Sequence, residues 1–361
     1  MLCVACSKPD EPENSSTPTP YSLEIPYGFP KKANLPANNP LTVEGIALGR
    51  KLFYDGKLSG RLHPDSAMSC ASCHVQAHGF ECGVNHPTFL DGKTHGITGI
   101  PTPHFMLPLI NLAWNDQGYF WNGLVSAKNA TAGRKTLADI VKMGIQAPHE
   151  MDTDSIQMVL SLSTDNSYPA QFERAFGSPA ITMHRVSLAI EQFLYTLVSA
   201  GSRFDKYLQG KLQLTQSELN GYVLFSTENG GDCFHCHGGS GNPLMTTHLF
   251  YNNAKDTLFT DLRDRYSVTG NLQDLGAYRA PTLRNIAFTA PYMHDGRFKT
   301  LDDVLNFYNQ GLNWSPYADP LMHHIANGGI RLHEAQLNDL KAFLMSLSDS
   351  SFIANPAFGP P

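Results

Sequence analysis

Two short stretches of the chain carry cysteine and histidine at the same spacing. "CASCH" runs from Cys70 to His74, and "CFHCH" runs from Cys233 to His237. Both follow the pattern Cys-x-x-Cys-His, in which two cysteines attach a haem covalently and the histidine after them binds its iron. The chain has only seven cysteines and fifteen histidines, so two complete copies are not a chance result.

The two motifs predict two c-type haems. The alternative is a zinc or redox cysteine pair, but a zinc site would need a second pair nearby, and both trailing histidines would be coincidences. Covalent haem attachment takes place outside the cytoplasm, which predicts a periplasmic protein in a bacterium. The predicted haem-binding residues are Cys70, Cys73, His74, Cys233, Cys236 and His237, with His74 and His237 as proximal iron ligands.

Each motif follows a segment with the pattern of a short helix. Thr42 is a candidate N-cap before an apolar stripe that ends in Leu52-Phe53. In the second half, Thr215 and Glu218 have the spacing of a capping box, and Leu224-Phe225 matches the first pair. The sequence therefore predicts two related helical modules, each of which presents one Cys-x-x-Cys-His turn.

Composition and periodicity predict a mainly α-helical protein of two cytochrome c-like domains, each with one covalent haem and long loops. Apolar residues make up 42% of the chain, and Gly (30) and Pro (24) are frequent. Further amphipathic helices are predicted around residues 186–197 and 337–347. The domains are expected at 21–202 and 203–361. The net charge of −6 argues against a nucleic-acid partner, and no apolar run approaches the roughly 18 residues that span a bilayer.

The first residues, "MLCVACSKPDEPENSS", look like the end of a lipoprotein leader with Cys6 as the lipidated residue. Residues 1–20 would then form a leader and a disordered tether. Only five residues precede Cys6, fewer than the apolar region of a signal peptide requires. We therefore expect a truncated lipoprotein leader, and the alternative is a short polar tail.

Eight stretches together resemble one family, the bacterial dihaem cytochrome c peroxidases, whose superfamily includes MauG. They run in order from about Leu41 to Leu347 and read "LGRKLFYDGKLSG", "CASCHVQAHGF", "YFWNG", "APHEM", "SRFDKYLQG", "CFHCHGG", "APTLRNIAFTAPYMHDGRFKTL" and "NFYNQG". The resemblance implies an enzyme that reduces hydrogen peroxide to water with electrons from a small carrier, a cytochrome c or a cupredoxin.

The resemblance also implies roles for residues near the N-terminal haem. Glu150, in "APHEM", would move protons during O–O cleavage, and Pro148 would keep the sixth iron position open. Trp121, in "YFWNG", would carry electrons between the haems, although Asn122 stands where the family has aspartate. The alternatives are a solvated loop glutamate for Glu150 and an ordinary core aromatic for Trp121.

The distal ligand of the second haem falls at Tyr308, in "NFYNQG". Well-studied family peroxidases have methionine there, and MauG-like members have tyrosine, whose anionic phenolate would lower the reduction potential. In the alternative, Met293 or Met322 reaches the iron and Tyr308 packs in the core.

Two further family features have no clean match in the chain. A histidine caps the N-terminal haem in many members, but Leu90 occupies that position here, and His86 and His95 are only neighbouring candidates. We therefore expect an uncapped N-terminal haem. A calcium ion between the domains is expected near Ala280-Pro281, and its side-chain ligand is not identified.

Two rival functions are left open by the sequence. The first is a MauG-like dihaem oxidase that modifies a partner protein through a high-valent iron state, which Tyr308 favours. The second is a non-catalytic electron-transfer cytochrome, against which Glu150 argues. The natural electron donor and a homodimeric state are also left open.

Overall fold

The structure is a computed structural model, and it describes residues 17–128, 133–239, 241–260 and 263–361. The predicted lipidation residue Cys6 lies outside these ranges. Within them, no helix is both long enough and apolar enough to cross a membrane.

The first half is built around two helices that pack side by side. Helix α1 follows Thr42, whose hydroxyl accepts a hydrogen bond from the Gly45 amide at 3.0 Å, which confirms the predicted N-cap. It packs along α5, the first of the two predicted amphipathic helices. The helices in the described part of this half are α1 Val43–Tyr54, α2 Leu137–Gln146, α3 Ser155–Leu162, α4 Tyr168–Phe176 and α5 Met183–Tyr195.

The second half repeats this plan. The predicted capping box is present, because the Thr215 amide donates to the Glu218 carboxylate at 2.7 Å and the Glu218 amide donates to the Thr215 hydroxyl at 3.2 Å. The helices described here are α6 Arg203–Leu208, α7 Gln216–Phe225, α8 Phe234–His237, α9 Tyr266–Thr269, α10 Leu301–Gln310, α11 Glu334–Ser346 and α12 Ser350–Ile353.

The central helix pair of each half crosses at an equivalent glycine. Gly49 of α1 lies so close to α5 that a Cβ atom would come within 1.9 Å of the Ala189 carbonyl oxygen. Gly221 of α7 meets α11 in the same way, with a Cβ 1.9 Å from the Asp339 carbonyl oxygen. Each glycine precedes its Leu-Phe pair by three residues, so the internal repeat extends from the sequence to the packing.

Strands are short in the described ranges. They form two antiparallel pairs, β1 Phe89–Leu90 with β2 Lys93–Thr94, and β3 Phe250–Tyr251 with β4 Tyr278–Arg279. Most of the connecting chain consists of turns and irregular loops. The predicted mainly helical, cytochrome c-like class with long loops is confirmed. The domain boundary at residue 202 stays a prediction.

The buried apolar side chains form one large cluster in the first half and two smaller ones in the second. Residues near position 361 pack against the first half rather than the second. Phe352 and Phe358 belong to the large cluster, and the Arg50 side chain donates to the carbonyl oxygens of Pro356 and Gly359 at 2.6 and 2.7 Å.

A buried ion pair lies where the two halves meet. Arg284, from "PTLRN", is fully buried and donates two hydrogen bonds to the Asp205 carboxylate of "SRFDKY", one of them 2.9 Å long. Next to it, the Asn285 amide group donates to the Ser199 hydroxyl, and its side-chain oxygen accepts from the Asp349 amide. These polar contacts hold together the segments around residues 199–205, 284–285 and 349.

Candidate active site

The first Cys-x-x-Cys-His motif folds into a single tight turn. Cys70–Ser72 is a short 3₁₀ helix, and the His74 amide donates to the Cys70 carbonyl at 2.9 Å. The Nδ1 atom of His74 donates to the Phe80 carbonyl oxygen at 2.7 Å. Phe80 is fully buried and stacks edge-on against Phe53 of α1, so the predicted helix before the motif also holds the histidine's partner in place.

The second motif has the same geometry. Helix α8 begins after Cys233, and the His237 amide donates to the Cys233 carbonyl oxygen at 3.0 Å. Its Nδ1 donates to the Pro281 carbonyl oxygen at 3.1 Å. Thr247 fixes the turn from the side, because its hydroxyl donates to the Cys236 carbonyl oxygen at 2.8 Å.

Both histidines are prepared to bind a metal through Nε2. A hydrogen bond from Nδ1 to a backbone carbonyl fixes the tautomer and leaves the Nε2 lone pair for the iron. Burial lowers the pKa of His74, and it lowers the pKa of His237 to about 4, so both imidazoles are neutral. The residues present therefore fit two haems with histidine proximal ligands.

Helix α2 positions Glu150 beside the first motif. Its N-terminus is held by the Thr136–Asp139 capping box, and the Ala138 amide donates to the buried Glu191 carboxylate of α5 at 3.0 Å. After the helix ends, the Glu150 amide donates to the Ala147 carbonyl oxygen at 2.9 Å, which closes a tight turn.

The Glu150 carboxyl is partly exposed: 41% of its side-chain surface is accessible, and its Oε1 atom lies 3.8 Å from Nε2 of His149. Desolvation by the surrounding residues raises its pKa to about 7. Burial, followed by the charge of Glu150, raises the pKa of Cys70 to about 12, which sets the carboxylate within electrostatic range of the first motif. A carboxyl with a pKa near neutrality suits proton transfer.

Trp121 lies where the two halves meet. It is buried, and its Nε1 donates to the Phe105 carbonyl oxygen at 2.6 Å. Its own carbonyl oxygen accepts from the Arg279 amide at 2.8 Å. Asn122, in place of the family's aspartate, makes no ion pair and instead donates to the Arg263 carbonyl oxygen at 3.1 Å.

A small cavity beside Trp121 contains a carboxylate that sequence reasoning missed. The cavity measures about 50 Å³ and is lined from both halves by residues that include Trp121, Glu81, Pro281 and Met293. Burial raises the pKa of Glu81 well above its ordinary value, and its Oε2 atom has no hydrogen-bond partner among the described residues. Glu81 lies close to the first motif in the sequence "CHVQAHGFECG". No pattern in that stretch predicts that its side chain is buried.

Tyr308 of α10 lies close to the second motif. Its hydroxyl accepts a hydrogen bond from the Asn253 side chain at 3.1 Å. Burial raises its pKa; the Asn253 hydrogen bond opposes this shift, and the charges of the motif cysteines add to it. Met293 lies 3.7 Å from the same Asn253 nitrogen, and Met322 packs in the same apolar cluster. The structure thus brings all three predicted ligand candidates into one region and does not choose among them.

The sequence analysis also missed two buried side chains with hydrogen-bond donor atoms near the second motif, those of Arg279 and His248. Arg279 has an Nη2 atom, and His248 an Nε2 atom, that are buried without a partner in the described ranges. His248 directly follows Thr247, which binds the Cys236 carbonyl. Burial lowers the pKa of Arg279 to about 10, so it remains charged. Unpartnered donors of this kind fit the carboxylate groups of a haem.

The remaining predicted residues lie on the surrounding loops. Pro148 is exposed, and its carbonyl oxygen accepts from the Thr98 hydroxyl at 2.6 Å. Nδ1 of His86 contacts the Thr88 hydroxyl at 2.9 Å. The Nδ1 atom of His95 is buried without a partner in the described ranges, and Leu90 is exposed on β1.

Comparison with known proteins identifies the family of the chain. The family model described as di-haem cytochrome c peroxidase matches residues 43–213. The chain is 30% identical to cytochrome-c peroxidase IdrP1 of Denitromonas iodatirespirans, over 90% of this chain and 86% of that protein. It is 33% identical to cytochrome c551 peroxidase of Nitrosomonas europaea, over 79% and 81% of the two chains.

The solved structures include a MauG-like protein associated with microbial copper homeostasis. It superposes with a TM-score of 0.78 and is 31% identical, over 94% of this chain and 99% of that one. With two Cys-x-x-Cys-His motifs and relatives over most of its length, the chain belongs to the di-haem cytochrome c peroxidase family.

Proposed function

We propose that this protein is a dihaem peroxidase that reduces hydrogen peroxide to water with electrons from a small periplasmic carrier, a cytochrome c or a cupredoxin. Members of the family bind two haems. The observation that carries the proposal is the Glu150 carboxyl, which lies within electrostatic range of the first motif, is partly exposed, and has a pKa raised to about 7 by desolvation. A plain electron-transfer cytochrome has no use for such a group.

Each motif would hold one haem through two thioether bonds, with His74 and His237 as the proximal ligands. The side chains of Arg279 and His248 would bind carboxylate groups of the second haem, since each has a buried donor atom without a partner in the described ranges. When bound, the two haems supply the electron-transfer chemistry that peroxide reduction requires.

Glu150 would manage the protons. Its carboxylate would take a proton from one oxygen of a bound peroxide and deliver it to the other oxygen, which would then leave as water. The complete reaction consumes two electrons, two protons and one peroxide and yields two waters. Pro148, two residues earlier, is exposed at the edge of this loop, and as an apolar ring it offers the iron no competing ligand atom.

Trp121 would carry electrons between the two halves. Its buried ring lies at their junction, and its backbone is linked by hydrogen bonds through residues 279–281 to His237. This position supports a relay role better than a purely structural one, because the ring also faces a cavity and is not surrounded by apolar side chains alone.

The test is peroxide turnover with a reduced cytochrome c as donor. We expect Glu150→Gln to lower kcat by a factor of about 10² to 10⁴, the usual contribution of a positioned proton-transfer group. Glu173→Gln, on the exposed face of α4, is the control and should leave turnover unchanged. Turnover in Glu150→Gln equal to that of the unmodified protein, with no binding of carbon monoxide to the reduced form, would instead support the electron-transfer cytochrome.

A MauG-like oxidase is the second candidate, and Tyr308 favours it. The phenol is buried near the second motif, and an anionic phenolate ligand would lower the reduction potential of that haem, which disfavours reduction by a high-potential carrier. The MauG-like protein with 31% identity adds weight. A MauG-like enzyme should consume peroxide slowly with reduced cytochrome c and should oxidise side chains of a partner protein, which mass spectrometry would detect.

We also propose a calcium ion in the cavity beside Trp121. The Glu81 carboxylate would bind it together with backbone carbonyl oxygens close to Ala280 and Pro281. Oxygen ligands with one negative charge suit calcium, and a buried carboxylate oxygen without a partner in the described ranges needs a cation or a proton. Metal analysis should find one calcium per chain in the purified protein and none in Glu81→Gln. Equal calcium in both would contradict the assignment.

The proposed location is the periplasm, because haem is attached to Cys-x-x-Cys-His outside the cytoplasm. A lipid anchor at Cys6 remains part of this proposal, although that residue lies outside the described ranges. Mass spectrometry of the protein isolated from membranes would detect the lipid on an N-terminal peptide.

A further inference from the structure

Three side chains that the proposed peroxidase reaction does not use converge beside the second motif. The two carboxylate oxygens of Asp232 accept hydrogen bonds from two histidines, Nδ1 of His235 at 2.6 Å and Nδ1 of His323 at 3.0 Å. All three potential ligand atoms lie within 4.8 Å of one another. The two rings meet edge-on, with centroids 5.3 Å apart.

The three residues come from distant parts of the chain and are held by different contacts. Asp232 directly precedes Cys233, and its side chain is only 5% exposed. His235 is the residue between the two motif cysteines and stacks on Phe234. His323 begins the 3₁₀ helix His323–Asn327, and the Nε2 atom of the next residue, His324, donates to the Glu228 carbonyl oxygen at 2.8 Å.

We propose that Asp232, His235 and His323 form a binding site for a divalent transition-metal ion of the zinc and copper class, separate from both haems. Two imidazoles and one carboxylate are the donor set that such ions prefer, whereas calcium and magnesium prefer oxygen alone. The ion would replace the two Nδ1 protons that now lie between the rings and the carboxylate.

The spacing of the ligand atoms fits this exchange. With bonds of about 2.0–2.1 Å, the ligand atoms of a tetrahedral zinc site lie roughly 3.3 Å apart. The two nitrogen–oxygen distances of 2.6 and 3.0 Å would need to widen by about 0.7 and 0.3 Å, which small side-chain rotations can supply. The 42% exposed side chain of His323 leaves a side from which an ion or a water ligand can approach.

The surroundings of His235 support Nδ1 as its binding atom. The Glu228 carboxylate lies on the other side of the ring, 3.7 Å from Nε2. A carboxylate on the outer nitrogen orients a metal-bound histidine and increases its basicity. A bound ion would therefore tie the loop at His323 to the turn that attaches the second haem, across 91 residues of sequence.

The test uses the holoprotein with both haems in place, freed of other metals by a chelator and titrated with zinc chloride in a calorimeter. We expect the unmodified protein to bind one zinc ion that His323→Gln either loses or binds at least tenfold more weakly. His63→Gln is the matched control, because His63 also faces an aspartate, Asp65 at 3.5 Å, but no second histidine is grouped with it in the part of the chain that the structure describes. It should bind zinc as the unmodified protein does.

A second variant and a second probe complete the test. Asp232→Asn should also lose the site, and the haem absorbance of each variant shows whether the second haem is still attached. With copper(II) as the probe, electron paramagnetic resonance should show hyperfine coupling to two imidazole nitrogens. Zinc bound at other positions, for example by Cys3 and Cys6, contributes equally to the isotherms of all variants and does not affect the comparison between them. Identical zinc isotherms for the unmodified protein and His323→Gln would overturn the proposal, whatever the outcome for peroxide turnover.

Discussion

The carbonyl oxygen of Pro281 accepts a hydrogen bond from Nδ1 of His237 at 3.1 Å. Two residues earlier, the Arg279 amide donates to the Trp121 carbonyl oxygen at 2.8 Å. Residues 279–281 therefore join the junction tryptophan to the histidine of the second motif through two hydrogen bonds and a short stretch of covalent chain. The electron relay proposed for Trp121 would cross the junction at this connection.

Replacing Trp121 with phenylalanine tests whether the indole ring takes part in the proposed relay, since the backbone hydrogen bond to Arg279 is kept. Phenylalanine keeps the apolar bulk but loses the indole and its bond to the Phe105 carbonyl. We expect turnover to fall by about tenfold or more, equivalent to at least about 1.4 kcal/mol in the barrier. Stopped-flow absorbance of both haems after peroxide addition would locate the slowed step. Trp114→Phe is the control, because Trp114 is also buried and also donates to a carbonyl, that of Pro30; an equal loss in that variant would count against a relay.

The pH dependence of peroxide turnover should report Glu150. The carboxyl must be ionised to accept a proton, and burial raises its pKa to about 7. We therefore expect kcat/KM to rise with pH through about 7 and to be lost below it, and Glu150→Gln should remove this limb. The stability effect has the opposite direction. Since the folded-state pKa exceeds the ordinary 4.5, ionisation destabilises the fold as the pH rises, so the Gln variant should melt at a higher temperature above pH 7.

Three variants distinguish the ligand candidates at the second haem. If Tyr308 binds the iron, Tyr308→Met should raise the reduction potential of that haem by on the order of 0.1 V, within the roughly 0.8 V that axial ligands span. Met293→Leu and Met322→Leu should leave the potential unchanged. Spectroelectrochemical titration of each protein measures the potential. A large shift in either methionine variant, with none in Tyr308→Met, would give the ligand position to that methionine.

Loss of the buried cation at the domain junction should be costly. In Arg284→Met the Asp205 carboxylate stays buried without its partner, and breaking such a pair typically costs about 3–5 kcal/mol. Urea unfolding of the holoprotein gives the free energy. The matched control is Lys341→Met, which removes the exposed pair with Asp302 at 2.6 Å and should cost no more than about 1 kcal/mol. Similar losses in both would mean that burial of the Arg284 pair is unimportant.

The glycine crossing in each half predicts a further loss of stability. A methyl group at residue 221 would collide with the Asp339 carbonyl oxygen, and overpacking of this kind costs about 1–3 kcal/mol. Gly221→Ala should therefore lower the melting temperature, and Gly49→Ala should do the same in the first half. Gly241→Ala serves as the control, because nothing lies within 4 Å of its added Cβ. Equal melting temperatures for all three would show that the helix pairs have room to separate.

Features with a local signature could be predicted from the sequence. The caps at Thr42 and Thr215, the helices before the motifs and the two amphipathic helices all depend on residues within a few positions of one another. The two Cys-x-x-Cys-His turns could also be predicted, because the cysteines that attach the haem and the histidine that binds its iron lie within five consecutive residues. The mainly helical class and the family followed from these patterns.

Features that need distant residues could not be predicted. Glu81 looks like any loop glutamate until the second half covers it, and the partners Arg284 and Asp205 are 79 positions apart. The contact of His235 with His323 likewise depends on where the loop that carries His323 packs in the folded protein. Periodicity and spacing report which side chains face inward, but not which segment meets them there.

The C-terminal aromatics carry a consequence for biogenesis. Because Phe352 and Phe358 complete the apolar cluster of the first half, that half lacks part of its own interior until these residues of the second half have been synthesised. Stable folding of the first half before the second is therefore disfavoured. Removing residues 350–361 should lower the stability of the first half more than that of the second.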